Sequence, residues 1–378
     1  MTVNIGILTS SRADYSIYFP LIKALEKLPN TSVDIIAFGT HLSEKFGYTI
    51  NQIIEDGFEV KHKIDNTFAL GDHPKDISNA MGYTMLRFSE FWELHQFDLV
   101  FCLGDRYEMF AAVSASVPFQ VKIAHLYGGE KTEGAIDDCL RHALSVMSKY
   151  HFAACEAYKN RVIELTSNAE NVFNFGHLSI DNLERLPLLN IEELQIKTGV
   201  DFAKPTILCT FHPETVNYES NTRYAQEICD AFSELTEFQI LITMPNSDTG
   251  GAIIRSSIEK LAESNPNIIT TENLGTIGYL SAMKYCKMMV GNTSSGFVEA
   301  SYFPKTVINL GERQTGRIIT PNIFNTPIQK QQIIDAVRKN INNTYENTKI
   351  QIYGSGNTAE LICNELQYNL LKSSYLND

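Results

Sequence analysis

Short apolar runs, each closed by a polar turn and followed by an amphipathic stretch, recur along almost the whole chain. Parallel strands need a crossover between them, usually a helix, so this alternation predicts parallel sheets covered by helices on both faces. Val3–Leu8 is the first such strand, and the spacing of Ile17, Leu21, Leu25 and Leu28 predicts the helix after it. Val33–Phe38, Asp98–Leu103, Val121–Ala124, His151–Ala154 and Val172–Phe175 read as further strands. Between them Ile77–His95, Glu108–Val117 and Cys139–Lys149 read as helices, the longest marked by Met81, Met85, Phe88, Phe91 and Leu94.

The pattern restarts after a looser, charged region at about residues 176–205. Thr206–Thr210, Ile240–Met244, Asn267–Thr270, Met288–Gly291 and Thr306–Leu310 are its strands, with helices over Arg223–Leu235, Gly251–Glu263 and Gly275–Lys284. The fold class is therefore α/β, with two Rossmann-like domains: residues 1–178, residues 179–357, and a helical segment over 358–378. The last carries Leu361, Ile362, Leu366, Leu370 and Leu371 at helical spacing.

Composition narrows the classes of function. The 378 residues suffice for two domains at about 150 residues each. A net charge of −13 disfavours nucleic acid as a partner. No run approaches the ~18 apolar residues of a membrane span, so no membrane partner is expected. The stretch Met1–Leu8 lacks a basic leader, which predicts no signal peptide. Seven scattered cysteines without a CxxC spacing argue against a disulfide framework, a zinc knuckle or a redox pair, and the chain reads as cytoplasmic and reduced.

Ligands of open α/β sheets lie beyond the C-terminal ends of the strands. The residues there are Ser10–Asp14, Gly104–Glu108, His125–Lys131 with Asp137–His142, Phe211–Glu214, Pro245–Asp248, Gly291–Gly296 and Gly311–Arg317. Seven such loops predict a site in a cleft that both domains face. Gly291–Gly296 is a candidate phosphate cradle: a glycine-flanked turn after a strand, opening a helix, offers backbone amides and the Ser294 and Ser295 hydroxyls to an anion. A plain helix cap is the alternative. Glu299, one turn on, is placed to bind ribose hydroxyls, and Arg313 and Arg317 suit a diphosphate because each guanidinium fork binds two oxygens. His212 is a phosphate donor or an acid. The first half holds the carboxylates Asp105, Glu108, Glu130, Glu133, Asp137 and Asp138, and clustered carboxylates divide acid and base roles in proton transfer at carbon. No HxH or HExxH occurs, so no metal site is expected. The absence of GxGxxG and GxxxxGK[ST] disfavours a dinucleotide cofactor and a P-loop. The residues alone lead to an enzyme acting on a nucleotide sugar.

Seven stretches, in order from residue 10 to 317, carry a family resemblance: Ser10–Tyr15, Gly104–Glu108, Gly128–Thr132, Ile136–His142, Phe211–Thr215, Gly291–Gly296 with Glu299, and Gly311–Arg317. Together they resemble the hydrolysing UDP-N-acetylglucosamine 2-epimerases, the family of sialic acid synthesis with a branch serving legionaminic acid. The resemblance implies the glycosyltransferase-B fold, with two Rossmann-like domains facing a central cleft and a C-terminal helix crossing back onto the first. It implies no cofactor, a UDP-sugar as substrate and a homodimer or homotetramer. The reaction it implies eliminates UDP to give a glycal, then adds water with inversion at C2. The substrate is UDP-N-acetylglucosamine, giving N-acetylmannosamine, or else UDP-N,N′-diacetylbacillosamine; a non-hydrolysing epimerase is the nearest rival.

By the same resemblance Asp105, Glu130, Asp137 and His212 are catalytic. Arg12, Ser294, Ser295, Gly296, Glu299 and Arg313 hold UDP, and Arg106, Glu108, Asn246 and Arg317 are substrate contacts. The chain departs from the family's His-x-Glu-Gly-Gly-Glu at one point, reading His125-Leu126-Tyr127-Gly128-Gly129-Glu130. Tyr127 stands where relatives have a carboxylate, and the base at C2 is then Glu130 or Asp137.

Overall fold

The computed structural model describes residues 2–66, 71, 73–245, 250–343, 345 and 350–368. It divides the chain into two compact units. One comprises residues 1–130, 137–184 and 353–378; the other comprises 131–136 and 185–352.

Among the described residues, the first unit is built on seven strands: β1 (Val3–Thr9), β2 (Thr31–Phe38), β3 (His62–Ile64), β4 (Leu99–Leu103), β5 (Ile123–Leu126), β6 (Tyr150–Ala153) and β7 (Val172–Asn174). Its helices are α1 (Arg12–Leu25), α2 (Ile50–Glu55), α3 (Pro74–Leu94), α4 (Tyr107–Ser116), α5 (Asp137–Met147), α6 (Glu156–Thr166), and α7 (Leu178–Arg185), whose last residue begins the second unit. All strand pairs are parallel, in the order β3-β2-β1-β4-β5-β6-β7. Successive side chains of a strand point to opposite faces. Val100 and Cys102 of β4 accordingly join Phe88, Phe91 and Trp92 of α3, and Met109, Ala112 and Val113 of α4, in one core. The Trp92 indole N–H donates to the Ala112 carbonyl at 3.1 Å, which ties α3 to α4.

The second unit contains α8 (Ile191–Thr198), α9 (Asn221–Glu234), α10 (Gly251–Ser264), α11 (Gly275–Tyr285), α12 (Glu299–Tyr302) and α13 (Lys330–Asn340). Its strands are β8 (Thr206–Thr210), β9 (Gln239–Thr243), β10 (Ile268–Thr271), β11 (Met288–Gly291), β12 (Thr306–Leu310) and β13 (Ile323–Thr326), parallel in the order β10-β9-β8-β11-β12-β13. Ile207 and Cys209 pack into a core with α9, α10 and α13, while Leu208 between them packs into the opposite core with α8, α11 and α12. Both faces are covered, so these strands read as continuous apolar runs. The chain then returns to the first unit, where α14 (Thr358–Leu366) packs on α1.

Each sheet runs outward in both directions from its own first strand, the doubly wound order with a switch point. In the first unit that point lies between β1 and β4, in the second between β8 and β11. In doubly wound sheets, ligands bind at such points, beyond the strand ends.

Candidate active site

At the first switch point, the loop after β1 is held by Asp14. Its carboxylate accepts from the Ser10 amide (2.8 Å), the Ser10 hydroxyl (2.6 Å) and the Ser11 amide (3.1 Å), while the Ser11 hydroxyl caps α1 in return. Asp14 is consumed by this capping box, and Arg12 is left as the half-buried first residue of α1.

Asp105 follows β4. Its carboxylate takes the guanidinium of Arg141, which lies one turn after Asp137 on α5. Arg141 is only 2% exposed, and its fork also donates to the Glu130 carbonyl (3.0 Å) and reaches the Asp138 carboxylate (3.5 Å). One buried cation thus binds Asp105, the backbone of Glu130 and α5, the element on which Asp137 sits. Glu130 is itself buried. Arg106 grips Glu108 through two nitrogens, at 2.9 and 3.1 Å, with the Glu108 carboxylate buried at the start of α4. Those two residues, expected as substrate contacts, bind each other.

His125 supports the same cluster from beneath. Its Nε2 lies 2.7 Å from the Gly104 carbonyl, which only accepts, so that nitrogen carries the proton. Its Nδ1 then accepts from the Ser145 hydroxyl at 3.1 Å, one turn beyond Arg141 on α5. The neutral ring spaces the end of β4 from α5.

In the second unit, the Asn292 side chain bridges the backbone of His212, accepting from its amide (2.7 Å) and donating to its carbonyl (2.8 Å). Gly291 permits the approach: a Cβ there would meet the Thr210 carbonyl oxygen at 2.1 Å. The Gln314 amide adds a bond to the Asn292 carbonyl (2.7 Å). The turn after β11 is a single 3₁₀ turn, Ser294–Gly296, followed by the four-residue α12 that begins at Glu299. The helix expected to open there is reduced to these two short turns, so helix-dipole attraction contributes little; the amides and the Ser294 and Ser295 hydroxyls remain.

Loop 311–317 hangs on Glu214. The buried Glu214 carboxylate accepts from the Glu312 amide at 2.6 Å, and Gly311, with φ of +71°, leaves it room. Burial pushes the Glu214 carboxyl above its ordinary pKa, against the pull of the Glu312 and Arg313 amides. Arg313 donates to the Pro213 carbonyl at 2.6 Å, and the Arg317 guanidinium lies 6.0 Å over the Phe297 ring. Residues 131–136 pack on this loop, through Glu133 N–H to the Thr315 carbonyl (3.0 Å). Asn246 lies outside the described residues.

A family model described as UDP-N-acetylglucosamine 2-epimerase matches residues 23–367. This chain belongs to that family. Among similar proteins, the GDP/UDP-N,N′-diacetylbacillosamine 2-epimerase (hydrolyzing) of Campylobacter jejuni is 34% identical over 86% of this chain and 84% of its own length. The UDP-N,N′-diacetylbacillosamine 2-epimerase (hydrolyzing) of Legionella pneumophila is 32% identical over 98% and 97%. A crystal structure of UDP-GlcNAc 2-epimerase from Neisseria meningitidis bound to UDP-GlcNAc matches with a TM-score of 0.81 at 19% identity, over 97% of this chain and 100% of that one. That likeness shows the fold: two Rossmann-like domains of the glycosyltransferase-B kind.

In this epimerase-family chain, sequence reading assigned no role to Arg141, Asn292 or Glu214. The one signal for Arg141 was its place four residues after Asp137, which on a helix puts the two on one face.

The buried histidines of the first unit carry a consequence for acid stability. Burial lowers the pKa of His125 to about 3 and those of His41 and His151 to about 4, against 6.5 for a free imidazole. Each of them binds its proton in the unfolded chain first, so acid favours unfolding. For His125 the stability is whole above pH 6.5 and is lost as pH falls from there to about 3. Each histidine contributes a slope of ~1.4 kcal/mol per pH unit within its window. Calorimetry between pH 7.5 and 4.5 is expected to show Tm falling steeply, and His125→Gln to lower Tm at pH 7.5 while flattening the slope. An unchanged slope in that variant would contradict the assignment.

Proposed function

We propose that this protein is a hydrolysing UDP-sugar 2-epimerase that releases UDP and a free 2-epimerised 2-acetamido sugar. The observation that carries the reading is that two relatives above 30% identity both bear the word hydrolyzing in their names. The carboxylates gathered around Arg141 at the first switch point support it. UDP-N,N′-diacetylbacillosamine is the favoured substrate, because it is named for both relatives. UDP-N-acetylglucosamine is the second reading, favoured by the description of the family.

The residue roles follow from the chemistry of that reaction. The C2 hydrogen is scarcely acidic until cleavage of C1–O builds oxocarbenium character, so departure of UDP comes first or is concerted. Arg12, Ser294, Ser295, Gly296 and Arg313 are assigned to the diphosphate, whose departing charge needs fixed donors, and Glu299 to the ribose. His212 donates to the leaving group. Asp105, Glu130 and Asp137 remove the C2 proton and later guide water onto the glycal. The net change is hydrolysis with inversion at C2 and is redox-neutral, so no redox cofactor is required. We assign the enzyme to the cytoplasm, as a homodimer or homotetramer.

NMR in D₂O with each UDP-sugar tests this. Release of UDP with deuterium at C2 of a free 2-epimer is expected, from UDP-N,N′-diacetylbacillosamine ahead of UDP-N-acetylglucosamine. Deuterated sugar still attached to UDP would instead make the enzyme a non-hydrolysing epimerase.

A further inference from the structure

Tyr127 opens the Tyr127-Gly128-Gly129-Glu130 turn after β5 in a left-handed backbone conformation, φ +68°, which a side chain adopts only where its surroundings hold it there. The surroundings are specific. The phenol oxygen accepts the Leu178 amide at 2.8 Å, one of the N-terminal amides of α7 that have no partner within the helix. The ring lies flat on His177, with centroids 3.9 Å apart and planes 11° from parallel. Both side chains are buried, at 3% and 5% exposed.

The far side of this contact is rigid. The His177 amide donates to the Tyr353 carbonyl (2.8 Å), and His177 Nδ1 accepts from Ser179 N–H (3.1 Å). Asp181 of α7 accepts both the Thr358 and Ala359 amides, capping α14, and Asn182 donates to the Ser16 carbonyl of α1. On the near side, Gly128 and Gly129 separate Tyr127 from Glu130 and pack closely, Gly129 against the backbone of Tyr158 and Gly128 against the Ser145 hydroxyl. The turn is held at both ends: Arg141 donates to the Glu130 carbonyl at 3.0 Å, and the Tyr127 side chain anchors the beginning on His177 and Leu178.

We propose that Tyr127 is a positioning residue for the epimerase reaction. Stacked on His177 and bonded to Leu178 N–H, it fixes the glycine turn that presents Glu130, and it transfers no proton itself. The proposal rests on the reading given under Proposed function. Position 127, where the family resemblance places a carboxylate, thus carries a group that holds rather than reacts.

Tyr127→Phe removes the hydroxyl and keeps the stack; Tyr127→Leu removes both. Hydrogen exchange by mass spectrometry is expected to show Leu178 exchanging about tenfold faster in Tyr127→Phe, with residues 128–130 also loosened in Tyr127→Leu. Turnover number is expected to fall about 3- to 10-fold in Tyr127→Phe and about 100-fold in Tyr127→Leu. The affinity for UDP should stay within twofold, and the limbs of the pH–rate profile should not move. Unchanged exchange at Leu178 in Tyr127→Phe overturns the proposal. So does complete loss of turnover in Tyr127→Phe with disappearance of one limb, which would make the phenol a proton-transfer group. If the wild-type protein releases UDP from neither sugar, the functional reading fails, and exchange at Leu178 and residues 128–130 still decides whether Tyr127 holds the turn. Should Tyr127→Leu not fold, Tyr127→Phe alone carries the decision.

Discussion

Arg141→Met is expected to lower turnover by about three orders of magnitude, corresponding to ~4 kcal/mol of lost transition-state stabilisation, while UDP affinity changes less than about twofold. The guanidinium is the one buried cation that Asp105, Asp138 and the Glu130 carbonyl share. Methionine fills much of the same volume but supplies no donor. Removing one partner of a fully buried ion pair costs ~3–5 kcal/mol; Asp105 keeps 24% of its side chain exposed, so water offsets part of that cost. Here the remaining charge is Asp105, and the loss is expected to appear as a displaced carboxylate rather than as global unfolding. Arg141→Lys separates charge from shape. Lysine keeps the positive charge but replaces a planar fork with a single point, so it cannot serve Asp105 and the Glu130 carbonyl together. An activity between wild type and Arg141→Met is expected. UDP-release kinetics, calorimetric titration with UDP and a thermal melt on the same preparations give the three readouts. A well-folded Arg141→Met enzyme with wild-type turnover would remove Arg141 from the site.

The fold was legible from sequence because the central strands are buried on both faces and announce themselves as apolar runs. Of the four edge strands, β7 and β10 were legible in this way, whereas β3 and β13 escaped that reading. They are short, and only Ile323 and Thr326 of their residues are buried, so neither forms an apolar run. The helix α8 lay in a region read as loose; its capping box, Asn190 with Glu193, was the available signal. Helix α5 starts at Asp137, two residues before the apolar pattern suggested, and this earlier start makes Asp137 helical and puts it one turn from Arg141. In the candidate site, loops were legible and partners were not. Polar residues after strand ends mark where ligands go, but nothing in the order of residues says that Glu108 pairs with Arg106; for Asp14 the Ser11-x-x-Asp14 spacing of a capping box was the available signal. Pairings such as Arg141 with Asp105 depend on distances across a folded chain. The helix expected after Ser294 failed for a local reason: the chain turns once in 3₁₀ geometry and Glu299 starts a separate short helix.

Asn292→Ala is expected to weaken UDP binding about 10- to 100-fold, through a residue that need not touch the nucleotide. Its side chain offers one acceptor and one donor, and the His212 backbone uses both. Alanine leaves the buried His212 amide and carbonyl without those partners, at ~1–3 kcal/mol for each group that water cannot reach. At 1.4 kcal/mol per tenfold in affinity, partial relaxation of the His212 loop accounts for the expected range. Asn292→Asp should fare no better, although it is nearly the same shape. The carboxylate still accepts from the His212 amide, but it sets an oxygen against the His212 carbonyl where the amide donated. Asn292→Asp is therefore expected to bind UDP at least as weakly as Asn292→Ala, and to recover as pH is lowered and the carboxyl gains a proton to donate. Calorimetric titration of UDP into each variant at pH 7.5 and pH 5.5 measures this. Wild-type affinity in a folded Asn292→Ala protein would show that the His212 turn holds itself, and that UDP recognition does not depend on it.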